Sequence, residues 1–161
     1  MKKDSVIVSM HLQGSTFIKV FENSYKALDR NSLVSDIAYA PAFIVNLSFA
    51  CEIFIKSLLY IDTNEFIIAH DLKKLFSNLP SNTRNDIKEN YLDLVKKNNQ
   101  LHLLDFDKNL EDHKLAYYEW RYYYDETTKA KENDYKFLMY FSAVLQDINF
   151  KMINSKTSIL K

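Results

Sequence analysis

An all-α helical bundle is the fold class this sequence predicts, and three observations predict it. Only one glycine and two prolines punctuate 161 residues, which leaves few sites for β-turns. Apolar residues recur at spacings of three and four along most of the chain. From Ala42 to Tyr60 the chain is apolar on nearly every side, as expected of a helix packed at the centre of a bundle. At this length a single domain, residues 1–161, can bury a substantial core without disulfides or metals.

Residues 1–13 carry Val6, Ile7, Val8, Met10 and Leu12 at a spacing that fits a short strand or the lead-in to a helix, and are read as a peripheral end. Ser15 is a plausible N-cap for an amphipathic helix through Phe17, Val20, Phe21, Tyr25 and Leu28, ending near Arg30-Asn31-Ser32. The central helix is expected to start between Ser35 and Pro41, because proline is tolerated in a first turn and damaging deeper in. A linker after Ile61 leads to His70-Asp71, either of which can cap a short helix with Leu72, Leu75, Phe76 and Leu79 inside, stopped by Pro80. Ser81 opens the next helix, with Ile87, Tyr91 and Leu94 inside, running into Lys96-Lys97 and the break at Asn98-Asn99-Gln100. From about Phe106 a further helix carries Leu110, His113 or Lys114, Tyr117 and Trp120 and ends in aromatics up to Tyr124. After a linker at Thr127–Asn133, Asp134 caps the last long helix, whose inner face reads Phe137, Phe141, Val144, Leu145, Ile148 and Met152; residues 155–161 read as a frayed tail.

Composition narrows the function classes. Neither a Gly-x-Gly-x-x-Gly run nor a Gly-Lys-Ser/Thr loop occurs, which argues against dinucleotide and P-loop enzymes. Formal net charge is +0, and residues 1–80 hold eight of the 21 basic and eight of the 21 acidic side chains, so neither half is a basic arm or an acidic tail. Any nucleic-acid site must therefore be local. Residues 37–61 are interrupted by Pro41, Asn46, Glu52 and Lys56, and are read as a buried core helix, with no membrane partner expected. The lone Cys51 sits inside that run as a small hydrophobe, and a chain without a signal-like leader is expected to be cytoplasmic.

Several polar groups are candidates for a site. Ser48, Glu52 and Lys56 are spaced by four and share one stripe of the apolar helix, where Glu52 and Lys56 can form an ion pair. A carboxylate there needs a cation, and Arg121 is expected to reach back to Glu52 or to the His70-Asp71 loop with its bidentate guanidinium, so that Arg121→Ala would cost roughly 3 to 5 kcal/mol. Tyr117, Tyr118, Trp120, Tyr122, Tyr123 and Tyr124 surround Arg121; such side chains fill cores, anchor protein interfaces or stack on bases beside a phosphate-binding arginine. No metal is expected. The Glu-x-x-His of di-iron bundles is absent, since Ile67 and Leu110 stand three before His70 and His113. His102, Asp105, Asp107, Glu111, Asp112 and His113 cluster near a helix start, where acids favour the helix dipole without a ligand role. No cofactor is expected either.

Three local features in order, Ala50-x-Glu52 with Lys56, then His70-Asp71-Leu72, then Trp120-Arg121-Tyr122, are similar to those of many bacterial HEPN-like proteins. The resemblance spans about residues 15 to 152, and a richness in Lys, Asn, Ile, Tyr and Phe also resembles proteins of AT-rich bacterial genomes. It implies an up-and-down bundle of four to five main helices, with a short helix after His70-Asp71, that commonly dimerises. The family's best-known activity is metal-independent RNA cleavage by an arginine and a histidine four to six residues beyond it. The arginine stabilises phosphoryl charge and the histidine moves protons. Here the windows read Glu126-Thr127-Thr128 after Arg121, Ser35-Asp36-Ile37 after Arg30 and Glu89-Asn90-Tyr91 after Arg84, all without histidine. Members lacking the pair are generally regarded as non-catalytic modules that bind RNA, nucleotides or proteins in phage defence or toxin–antitoxin systems.

The expectation is accordingly a homodimeric, HEPN-like binding or regulatory module, with RNA, a nucleotide or a cognate protein as partner. Its binding residues are Arg121, Tyr118, Trp120, Tyr122, Tyr123 and Tyr124, and its structural polar residues are Glu52, Lys56, His70 and Asp71. Two alternatives stand beside it: an endoribonuclease using Arg121 with His70 or Glu126, and a structural subunit of a larger complex.

Overall fold

The computed structural model describes residues 3–27, 33–121 and 135–156, with the backbone alone at 33–38. Four long helices, α1 (Lys3–Lys26), α2 (Leu33–Thr63), α4 (Ser81–Lys97) and α7 (Tyr135–Lys156), form the bundle. Three short ones, α3 (Leu72–Ser77), α5 (Phe106–Asp112) and α6 (Ala116–Arg121), close one side of it, and a single 3₁₀ turn spans Leu101–Leu103. The described residues contain no strand, and the fold is the all-α bundle that the spacing predicts.

Ring contacts fix the register. Phe21 packs on Phe43, Phe17 on Phe49 and His11 on Phe54, while Lys3 donates to the Ile61 carbonyl, so α1 and α2 run antiparallel. Tyr25 meets Tyr135, Ser15 meets Gln146 and His11 meets Asn149, so α1 is antiparallel to α7 as well. Along α2 the side chains of Phe43, Ile44, Leu47, Cys51, Phe54 and Leu58 are fully or almost fully buried, which explains why the helix shows so little amphipathic contrast. Tyr39–Thr63 is long and apolar enough to cross a membrane, but 67% of its most apolar stretch is buried inside the bundle.

Five expectations are corrected. Residues 1–13 are not a peripheral end: from Lys3 they are the first half of α1, and Val6 and Ile7 form a second small core with Tyr60, Ile61 and Ile153. Ser15 is therefore no N-cap but a mid-helix residue whose hydroxyl accepts from the Gln146 amide at 2.9 Å. α2 begins earlier than expected, at Leu33, so that Pro41 lies inside the helix. The stretch from Phe106 is two helices rather than one, broken at His113 to Leu115; there the Lys114 carbonyl leaves the helical pattern and accepts the Leu72 amide at 2.9 Å, joining the break to the start of α3. At the other end α7 continues to Lys156, whose ammonium lies 2.9 Å from Asp62, so residues 155 and 156 are helix rather than tail. The expected helix end at Arg30, the linker at 127–133, the Asp134 cap and residues 157–161 lie outside the described residues.

Candidate functional site around His70 and α6

The site is built on the polar stripe of α2. Ser48 satisfies its hydroxyl within the helix, donating to the Ile44 carbonyl at 2.6 Å. Glu52 is buried, and one of its oxygens, Oε1, takes two partners: Lys56 Nζ at 2.7 Å and His70 Nδ1 at 3.0 Å. A carboxylate only accepts, so Nδ1 carries the proton and Nε2 is the nitrogen left for solvent on a side chain that is 44% exposed. Asp71 caps α3 by accepting the Lys74 amide at 2.8 Å, which fixes the backbone next to His70.

Helix α6 supplies the other wall. The Tyr118 ring stands edge-on to His70 with centroids 5.8 Å apart and remains 44% exposed. Its neighbour Tyr117 turns the other way, packing 4.1 Å from Phe49 of α2, and its hydroxyl accepts from Arg121 Nη1 at 2.8 Å. Arg121 is thus exposed and held over the Tyr117 ring at the open end of α6. Trp120 is half-buried against the main core.

These contacts divide the aromatic segment. Tyr118 is on the surface, while Tyr117 and Trp120 belong largely to the packing; Tyr122, Tyr123, Tyr124 and Glu126 lie outside the described residues. The expected reach of Arg121 to Glu52 or to the His70-Asp71 loop is corrected: Glu52 is met by Lys56 and His70, and Arg121 bonds to Tyr117 on its own helix. The physical reason is register. α6 lays Tyr117 and Tyr118 against α2 and His70, which leaves the arginine one turn further on, where it meets the Tyr117 hydroxyl.

The acidic cluster near α5 resolves into structural pairs. Asp105 caps α5 through the Lys108 amide, Asp107 bonds Lys88, and His113 is buried against Phe137 with its Nδ1 on the Asn109 carbonyl. Glu111 accepts from Lys114 and from Lys73, and these two ammonium groups hold its carboxyl down, to about 2. No group of three or more metal-ligating side chains occurs among the described residues. Burial pushes the Cys51 thiol well above its ordinary range, so it is inert inside the folded bundle.

Sequence reasoning passed over one surface feature. The linker between α2 and α3 shows a two-residue alternation: Phe66, Ile68 and His70 are exposed, whereas Ile67 and Ala69 pack on the main core. Phe66, Ile67, Ile68 and Ala69 are apolar at every position, so no polar–apolar alternation in the sequence marks which of them face inward. Compared with known proteins, the chain matches no family model, no curated protein and no solved structure.

Proposed function

We propose that this chain is a HEPN-like binding or regulatory module that recognises RNA or a nucleotide through α6 and the His70 loop, as a homodimer, in a bacterial cytoplasmic defence or toxin–antitoxin setting. One observation carries the reading. An exposed Tyr118 ring is braced edge-on by a His70 that the buried Glu52 holds in place, with the Arg121 guanidinium fixed one turn beyond. A ring presented without freedom to collapse stacks on a base at low entropic cost, and a neighbouring guanidinium adds a phosphate contact. Fluorescence anisotropy with labelled single-stranded and structured RNA in chelator tests it. Saturable binding that weakens about tenfold in Tyr118→Ala, in line with about 1–3 kcal/mol per stacked base, is the expected result. Binding indifferent to Tyr118 sinks this surface.

A second reading, metal-independent RNA cleavage, is favoured by the same Glu52–His70 pair. A buried carboxylate that orients an imidazole by Nδ1 leaves Nε2 to move protons, and Arg121 is the nearest arginine of the described fold in sequence to Tyr118. Cleavage in chelator that disappears in both His70→Ala and Arg121→Ala selects the enzyme over the binding module.

A further inference from the structure

We infer that His70 selects the base at this site: its Nε2 accepts a hydrogen bond from the exocyclic amine of a base stacked on Tyr118, so that adenine and cytosine bind in preference to uracil. This selectivity deepens the RNA reading of α6 and the His70 loop and rests on it.

A neutral imidazole has one donor and one acceptor nitrogen, and its neighbours decide which is which. Here Nδ1 lies 3.0 Å from Glu52 Oε1, an oxygen that only accepts, so the proton is on Nδ1 and Nε2 keeps a lone pair. Lys56 Nζ, 2.7 Å from the same oxygen, already balances the buried carboxylate, so the ring supplies a hydrogen bond there and not a charge. The same tie sets direction. The two nitrogens point to opposite sides of the ring, so a ring anchored at Nδ1 to a buried group turns Nε2 outward, on a side chain that is 44% exposed. Among the described residues Nε2 has no partner. The backbone beside it is fixed as well, since Asp71 accepts the Lys74 amide at 2.8 Å. An acceptor held in this way needs little further ordering when a ligand arrives.

That acceptor stands where the edge of a stacked base comes. The His70 and Tyr118 planes are 76° apart with centroids 5.8 Å apart, so the imidazole is a wall at the rim of the tyrosine ring and not a lid over it. A base lying on the exposed ring turns its polar edge to that wall. What the edge carries then decides. Adenine N6 and cytosine N4 donate a hydrogen bond, whereas the O4 carbonyl of uracil sets one lone pair against another. The neighbouring groups do not make this distinction: the Tyr118 hydroxyl donates or accepts, and the Arg121 guanidinium, held at the Tyr117 hydroxyl one turn on, only donates and suits a phosphate. One hydrogen bond gained or lost at a partly exposed nitrogen corresponds to about a three- to tenfold change in affinity.

The test is anisotropy in mildly alkaline buffer with the full-length protein and single-stranded octanucleotides that differ at C4 of the pyrimidine: cytosine with its amine, 2-pyrimidinone with hydrogen, uracil with a carbonyl. Affinity is expected to fall in that order, by about three- to tenfold from first to last. His70→Ala is expected to bring cytosine and uracil within about twofold of each other, because stacking alone is tolerant of sequence. Nitrogen NMR of labelled histidine, with the His70 signal assigned by its loss in His70→Ala, is expected to show the Nδ1–H tautomer and a shift of Nε2 with the cytosine strand but not with the uracil strand. Glu52→Gln, which offers the ring an N–H as well as an oxygen, is expected to mix the tautomers and narrow the preference. Equal binding of cytosine and uracil, a preference for uracil, a preference that survives His70→Ala, or a ring protonated at Nε2 each overturns the inference. Where the strands bind without preference and Tyr118→Ala weakens them all, this inference falls alone. Where Tyr118→Ala changes nothing, or no strand binds up to millimolar concentration, the reading of α6 falls and this inference with it.

Discussion

The Phe54 ring lies 2.7 Å from the place a Cβ on Gly14 would occupy. This one contact explains why the chain's single glycine sits in the middle of α1. Glycine costs a helix about 1 kcal/mol relative to alanine, and here it lets α1 approach a fully buried ring on α2.

Gly14→Ala therefore sets two effects against each other. Helix propensity favours alanine by about 1 kcal/mol, while overpacking against the fully buried Phe54 ring costs about 1–3 kcal/mol. The variant is expected to lose about 1 kcal/mol net, and Gly14→Val roughly 3, measured by urea denaturation. An alanine variant as stable as the parent would show that the ring yields.

Glu52 and His70 share a hydrogen bond but not a burial. Removing Glu52 strands Lys56, whose side chain is only 19% exposed, whereas removing His70 leaves Glu52 paired with that lysine. Glu52→Ala is expected to cost about 2–4 kcal/mol, toward the range for breaking a buried pair, and His70→Ala less than about 1. Chemical denaturation of the two variants checks the asymmetry; equal losses would place the histidine inside the structural pair.

Bundle, central helix and short capped helix were legible in the sequence because burial writes itself as periodicity: Leu72, Leu75 and Phe76 are inside as their spacing requires, and Asp71 caps them. Two things defeated that logic. The spacing of Val6, Ile7, Val8, Met10 and Leu12 fits a strand as well as a helix, and the close packing of Gly14 against Phe54 within one continuous α1 is a tertiary contact that no local pattern reveals. The partner of Arg121 was misjudged because a buried carboxylate names its need for a cation but not which one, and the break after α5 that sets the register of α6 depends on a long-range bond from Leu72 to Lys114. The Glu52–Lys56 bond, by contrast, follows from i, i+4 spacing alone.

Acid should loosen the α3–α5 corner. Lys114 and Lys73 hold the Glu111 carboxyl near 2, below its ordinary 4.5. A depressed folded-state value stabilises the fold above the unfolded value, and that contribution is lost as pH falls through the folded one, here between about 4.5 and about 2. Both partners are surface groups, so the effect is small and salt-sensitive. Unfolding midpoints across that window should fall less steeply in Glu111→Gln than in the parent; identical slopes would remove the pair from the account.

Arg121 now carries a different expectation from the one its sequence context suggests. Its guanidinium is exposed and bonds to the Tyr117 hydroxyl, a surface contact whose loss costs a fold little. Arg121→Ala is expected to change stability by no more than about 0.5 kcal/mol, the ordinary range for a surface site. If the residue instead contacts a phosphate, the same variant weakens RNA binding uniformly across sequences and lowers the slope of log affinity against log salt by about 1. Tyr117→Phe discriminates further. It keeps the ring packed on Phe49 and deletes only the hydroxyl that accepts from Arg121, freeing the guanidinium without removing it. Its affinity is expected to fall between those of the parent and Arg121→Ala, with the parent's salt slope, because the charge is kept and only its positioning is lost. Denaturation and anisotropy at two or more salt concentrations read both quantities on the same samples. A loss of several kcal/mol in Arg121→Ala, or an unchanged salt slope, would show that this arginine serves the fold rather than a ligand.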